Sequence, residues 1–170
     1  MTNLPKLTLI LGGARSGKSA FAERLVESAG LPMTYLATAE ALDDEMAARI
    51  ATHKERRNDW NTIEEPRDVA VALARVPLGN AILLDCLTLW LSNLMHAGDV
   101  DITDMVTSLK QAPGPLVCVS NEVGMGLVPD TALGREFRDL QGTLNAAVAA
   151  AADQVLFVAA GLPLTLKARE

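Results

Sequence analysis

Five short apolar runs constrain this 170-residue chain more than any other feature: KLTLILGG (6–13), MTYLATA (33–39), AILLDCL (81–87), PLVCVSNEV (115–123) and QVLFVAAG (154–161). Four are nearly unbroken in apolar character, as expected of parallel strands covered on both faces. Between them, Ser19 to Ser28, Asp43 to Arg57, Arg67 to Val76, Thr88 to Met95, Ile102 to Lys110 and Leu133 to Ala152 read as helices. This rhythm predicts an α/β fold, a mostly parallel open sheet flanked by helices with right-handed crossovers. The tail GLPLTLKARE, with Gly161 and Pro163 as turn signals, is expected to return as a short antiparallel edge strand. Residues 1–170 have the size of one domain with one substantial core. In such sheets ligands sit beyond the carboxyl ends of the strands, so the residues after each apolar run are the candidates for chemistry.

The first such loop is explicit. Gly12, Gly17, Lys18 and Ser19 match G-x-x-x-x-G-K-[ST] between an apolar run and a helix, the context in which that pattern is a P-loop. The expected fold is therefore P-loop NTPase-type. Backbone N–H groups and the helix N-terminus would face phosphate, Lys18 would reach the outer phosphates, and the Ser19 hydroxyl would hold Mg²⁺. A second acid is expected after another strand, and Asp85 stands there, as a metal-holding carboxylate or as the N-cap of the next helix.

Charge and cysteine content narrow the setting. A net charge of −6 gives no general electrostatic reason to expect nucleic acid or an anionic membrane. Cys86 and Cys118 each lie in an apolar run and read as small buried hydrophobes rather than a disulfide or metal pair, which fits a reducing compartment. MTNLPKLTLIL lacks a basic leader region and is too short for a membrane span. The expectation is a soluble, cytoplasmic protein.

One helical segment raises a more specific possibility. Leu42, Met46 and Ile50 form an apolar stripe, and beside it Arg49, His53 and Arg57 recur with the same spacing. A histidine between two arginines stays largely neutral near pH 7 and could attack phosphorus while the guanidiniums steady the developing charge. The same pattern also suits a solvated helix end with a surface histidine. His96 reads as a C-terminal dipole partner or surface residue.

GGARSGKS, YLATAEALDDEMAARIATHKERR, LLDCLTLWLSNLM and SNEVGMGLVPDTALGREFRDLQGTLNAAVAAAADQVLFVAAGLPLTLK together resemble the bifunctional adenosylcobinamide kinase / adenosylcobinamide-phosphate guanylyltransferase family of cobalamin biosynthesis. The resemblance covers nearly the whole chain. It implies that a nucleoside triphosphate phosphorylates the aminopropanol hydroxyl of adenosylcobinamide. GTP then supplies GMP to that phosphate through a covalent histidine adduct, giving adenosyl-GDP-cobinamide. The histidine falls on His53, which with Lys18 makes the catalytic pair. By the same resemblance, nucleotide contacts fall on Gly12, Gly13, Ala14, Arg15, Ser16, Gly17, Lys18 and Ser19, on Ala37, Thr38 and Ala39, on Lys54, Glu55, Arg56 and Arg57, and on Glu64 and Asp85. Metal contacts fall on Ser19 and Asp85. Related sequences carry glutamate at position 85, so the shorter aspartate changes the contact geometry. A homotrimer is also implied.

Kinase action needs the γ-phosphate at the substrate hydroxyl, whereas guanylylation needs the α-phosphate at His53, so the nucleotide or the His53 helix is expected to take two positions. Asn121 and Glu122, in SNEVGMGLVPD, either bind substrate or orient a proton, or simply satisfy backbone groups where the strand ends, and Gly124 and Gly126 would permit loop motion. Trp90, Leu91, Leu94 and Met95 suit either an interface or the core. The competing functions are a simple small-molecule kinase with a spectator His53 and a nucleotide-dependent switch.

Overall fold

The apolar runs become neighbouring strands because each can bury side chains on both faces of one sheet. A computed structural model describes residues 4–40, 59–98 and 100–168. Its strands are β1 (Leu7–Gly12), β2 (Met33–Ala37), β3 (Asn61–Glu64), β4 (Ala81–Asp85), β5 (Leu116–Asn121), β6 (Gln154–Ala159) and β7 (Leu162–Lys167). The described helices are α1 (Lys18–Glu27), α2 (Val69–Ala74), α3 (Leu87–Ala97), α4 (Thr103–Lys110) and α5 (Ala132–Ala151). The expected helix over 43–57 lies outside the described residues.

The strands form one sheet in the order β3-β2-β4-β5-β1-β6-β7. All pairings are parallel except β6 with β7, so the tail does return antiparallel at the edge. Strand β3 escapes a reading based on apolar runs because only Ile63 of its four residues is buried. It pairs with β2 at the opposite edge.

Alternation along the strands sorts the core into two layers. Leu7, Leu9 and Leu11 of β1, with Ile82 and Leu84 of β4, face a cluster shared with Val69 and Leu73 of α2, Trp90 and Leu91 of α3, Leu109 of α4 and Leu144 and Val148 of α5. Ile10, Leu83, Val117 and Val119 point the other way, to Ala22 and Val26 of α1 and to Tyr35 and Trp60. Trp90 and Leu91 are thus core residues, and Leu94 and Met95 pack against the same cluster, which explains the four without an interface.

Local chemistry sets the helix ends. Asp68 caps α2 by accepting from Val71 N–H at 3.0 Å, and Thr131 caps α5 by accepting from Gly134 N–H at 3.1 Å. The last turn of α5 is closed by Lys167 of β7, whose ammonium donates to the carbonyls of Ala149, Ala150 and Ala152 at 3.3, 3.1 and 2.5 Å. His96, exposed in the last turn of α3, has Nδ1 2.7 Å from the Ser92 carbonyl, in keeping with a helix-end partner. No described helix is long and apolar enough to cross a membrane.

Candidate active site

Strand β1 delivers the chain into the loop Gly13–Gly17 at the carboxyl edge of the sheet. A Cβ on Gly12 would lie 2.5 Å from the Val158 carbonyl oxygen and 2.6 Å from Ser16 Oγ, so only glycine fits this turn. Gly17, at φ 91°, occupies the N-cap position of α1 in the left-handed region and supplies no side chain to cap it. The helix therefore begins with its free N–H groups available to an anion. The turn between β6 and β7 backs the loop, with Gly161 N–H donating to the Ser16 carbonyl at 2.8 Å. Ser16 Oγ is buried without a hydrogen-bond partner among the described residues.

Lys18 lies across this loop and donates to the Gly13 carbonyl at 3.1 Å. Partial burial lowers its pKa, opposed by Cys86 and by the carboxylate of Asp85. Asp85 ends β4 and accepts from Tyr35 Oη at 3.4 Å. It does not cap α3, because the cap position is Cys86, whose Sγ accepts from Leu89 N–H at 3.4 Å. Capping thus drops away as the reason for an acid here. Burial, followed by the Asp85 charge, pushes the Cys86 thiol up to about 12, and burial also raises that of Cys118. Both cysteines are free.

The donor set suits Mg²⁺. Ser19 lies in the first turn of α1, Asp85 belongs to the face of β4 turned toward α1, and no cluster of three or more His, Cys, Asp or Glu capable of holding a metal occurs among the described residues. A hydroxyl and one carboxylate, completed by phosphate oxygens and water, is how Mg²⁺ is held beside a nucleotide.

The remaining predicted contacts fall elsewhere on the same edge. From β1 to β2 is three strand steps, about 14 Å, and to β3 about 19 Å. Ala37 and Glu64 are paired in register at the ends of β2 and β3. Thr38 is fully buried, and its hydroxyl is turned inward: Oγ1 donates to the Cys86 carbonyl at 2.7 Å and accepts from Cys86 N–H at 2.9 Å. Its own N–H donates to the Asp85 carbonyl and its carbonyl accepts from Asn93 Nδ2 at 2.8 Å. Thr38 thus ties the end of β2 to the start of α3 through both its side chain and its backbone. The peptide between Asp85 and Cys86 is cis. Asn93, which sequence reasoning did not single out, also donates to the Pro66 carbonyl at 3.0 Å and so gathers the ends of β2 and β3 onto α3. His53, Lys54, Glu55, Arg56 and Arg57 lie outside the described residues.

At the tip of β5, Glu122 N–H donates to the Gly12 carbonyl at 3.1 Å, and Glu122 Oε1 accepts from Gly124 N–H at 2.5 Å. Asn121 N–H donates to Thr88 Oγ1 at 2.8 Å and its carbonyl accepts from Asn145 Nδ2 at 3.0 Å.

A cradle of this shape, on a mostly parallel sheet and facing a lysine and a carboxylate, defines a P-loop nucleotide-binding protein. Solved structures agree on the fold. The flagellar accessory protein FlaH from Methanocaldococcus jannaschii superposes with a TM-score of 0.59 at 14% identity, covering 98% of this chain and 81% of that one. A Pyrococcus horikoshii protein gives 0.63 at 8% identity, covering 99% and 89%. Residues 8–166 match the family described as cobinamide kinase / cobinamide phosphate guanyltransferase, and the chain belongs to that family. It is 46% identical to the bifunctional adenosylcobalamin biosynthesis protein CobP of Pseudomonas aeruginosa, over 94% of this chain and 96% of that protein. It is 39% identical to the bifunctional adenosylcobalamin biosynthesis protein CobU of Salmonella typhimurium, over 95% and 99%.

Proposed function

We propose that the chain phosphorylates the aminopropanol hydroxyl of adenosylcobinamide and then transfers GMP from GTP to the resulting phosphate, by way of His53. The carrying observation is the P-loop corner formed by Gly12, Lys18 and Asp85 within a chain whose residues 8–166 match a family with both activities.

In the kinase step ATP or GTP lies with its phosphates against residues Gly12 to Ser19. The substrate hydroxyl attacks the γ-phosphorus, the bond to the bridging oxygen breaks, and the nucleoside diphosphate leaves. Lys18 draws charge from the outer phosphates, and the uncapped N-terminus of α1 receives the rest. Ser19 and Asp85 would hold Mg²⁺, which would supply charge neutralisation at the phosphates.

In the second step a neutral His53 nitrogen attacks the α-phosphorus of GTP and expels pyrophosphate. The phosphate oxygen of adenosylcobinamide phosphate then displaces histidine from phosphorus. Ala37, Thr38, Ala39 and Glu64, with Lys54, Glu55, Arg56 and Arg57, hold the GMP portion, and the Thr38 hydroxyl also keeps the end of β2 in place. The distance of about 14 Å between the tips of β1 and β2 supports two nucleotide positions along one edge. The enzyme acts in the cytoplasm as a homotrimer of single-domain chains. Exposed Met125, Leu127 and Val128 offer apolar surface for that assembly, a place that Trp90 and Leu91 do not provide.

Incubation of the purified chain with adenosylcobinamide, ATP, GTP and Mg²⁺ tests the proposal. Mass increases of one phosphoryl and then one guanylyl group on the corrinoid are expected. Phosphoryl addition alone would reduce the chain to a simple kinase.

A further inference from the structure

Asn121 sits where the chemistry of the kinase step would converge, and its backbone is held by side chains. Strand β5 lies between β1, which carries the P-loop, and β4, which carries Asp85. Asn121 pairs in register with Gly12, and Val119 pairs with Asp85, so Asn121 stands two residues further toward the carboxyl edge than the carboxylate.

Alternation fixes the face. Val117 and Val119 pack in the layer that holds α1, whereas Leu116 and Cys118 pack in the opposite layer, and Ser120 follows them onto that side, where its hydroxyl meets α5. The Asn121 side chain consequently belongs to the α1 face, shared with Lys18 and Asp85.

The opposite face supplies the restraint. Ser120 Oγ donates to Asn145 Oδ1 at 2.6 Å and accepts from Gln141 Nε2 at 2.9 Å, while Gln141 Nε2 also lies 2.9 Å from Asn145 Oδ1. Asn145 Nδ2 holds the Asn121 carbonyl, and Thr88 Oγ1 accepts its N–H. Ser120, Gln141 and Asn145 are buried, as is Thr88. Such a network specifies one backbone geometry because each broken link strands a polar group away from water.

What this clasp holds in place is a side-chain oxygen with nothing to do in the folded chain. Asn121 Oδ1 is buried and has no hydrogen-bond partner among the described residues. A buried acceptor without a donor is destabilising and calls for an explanation; of the four such side-chain atoms among the described residues, with Thr8 Oγ1, Ser16 Oγ and Gln141 Oε1, this one stands at the tip of β5 between the P-loop strand and the Asp85 strand.

We propose that Asn121 is a catalytic residue of the phosphoryl-transfer step, its Oδ1 accepting a hydrogen bond from the hydroxyl that attacks the γ-phosphorus. Asn121 takes no proton. It aims the hydroxyl lone pair along the line of the breaking P–O bond. The hydroxyl oxygen bonds to phosphorus, the nucleoside diphosphate leaves with the electron pair, and the hydroxyl proton passes to solvent. The Thr88, Ser120, Gln141 and Asn145 side chains are positioning residues that act through Asn121. The inference rests on the kinase reading of this site and adds the group that orients its acceptor.

The test replaces Asn121 with leucine, of similar size and without polar atoms. Asn121→Leu is expected to lower kcat for cobinamide phosphorylation about 100-fold. Nucleotide KM and the rate of GMP adduct formation from GTP stay within about threefold, because α-phosphorus attack does not use the same acceptor. Its melting temperature is expected to hold or rise, since the variant removes an unsatisfied buried acceptor. A purely structural asparagine would instead lower stability, nucleotide affinity and both half-reactions together, and that pattern, or an unchanged kcat, overturns the inference. Slow hydrolysis of ATP by water needs no corrinoid and is measured alongside. It falls in Asn121→Leu if the residue orients the attacking oxygen, even where wild type fails to phosphorylate cobinamide and the kinase reading itself is wrong. An unchanged hydrolysis rate counts against the role of Asn121 alone.

Discussion

Thr38 Oγ1 bridges both backbone polar groups of Cys86, donating to its carbonyl at 2.7 Å and accepting from its N–H at 2.9 Å. The hydroxyl thereby ties the end of β2 to the residue that follows Asp85. Thr38→Val keeps the shape and leaves the buried Cys86 N–H without its acceptor, while the Cys86 carbonyl keeps only the Trp90 N–H at 3.2 Å. It is expected to cost about 2 kcal/mol by chemical denaturation and to weaken nucleotide binding.

Gly12 and Gly13 make an internal contrast. Gly12→Ala drives a methyl into the Val158 carbonyl, backbone that cannot swing aside, whereas an added Cβ on Gly13 meets nothing within 4 Å. Gly12→Ala should lose roughly 1–3 kcal/mol of stability along with measurable nucleotide binding, and Gly13→Ala should fold like wild type. Thermal melts with and without ATP distinguish the two.

Lys18 spans the loop to Gly13 and is drawn toward Asp85. Lys18→Met retains the apolar stem and removes the charge. It is expected to lower phosphoryl transfer about 10²- to 10³-fold with little change in fold, measured as kcat on cobinamide beside far-UV circular dichroism.

The two buried thiols make stability sensitive to alkaline pH. Their folded pKa values lie above the ordinary value of 9.0, at about 12 for Cys86 and higher than normal for Cys118. Above pH 9 the unfolded chain releases these protons while the folded one keeps them, so stability is full below that pH and declines as pH rises toward 12. Cys118→Ala should flatten the decline in melts taken between pH 8 and pH 10.5, and an unchanged slope would remove the thiol as its source.

Sequence made the sheet and the cradle legible for physical reasons. The runs around Leu9, Leu83 and Val117 are buried on both sides and carry no competing pattern, and Gly12 to Ser19 combine a steric requirement with a helix start. Strand β3 was hidden because Asn61, Thr62 and Glu64 are exposed and only Ile63 reports burial. The direction of the Thr38 hydroxyl was hidden too, since it depends on a partner 48 positions away. The clasp of Thr88, Ser120, Gln141 and Asn145 joins three elements, and no local spacing announces a network of that kind.

If one chain uses a P-loop and a histidine for two different transfers, GTP must leave a covalent GMP adduct on that histidine. Intact-protein mass spectrometry after incubation with GTP and Mg²⁺, on wild type and His53→Ala, should show an acid-labile GMP adduct on wild type alone. An adduct that persists in His53→Ala, or no adduct on wild type while cobinamide phosphorylation proceeds, would contradict the assignment of guanylyl transfer to His53.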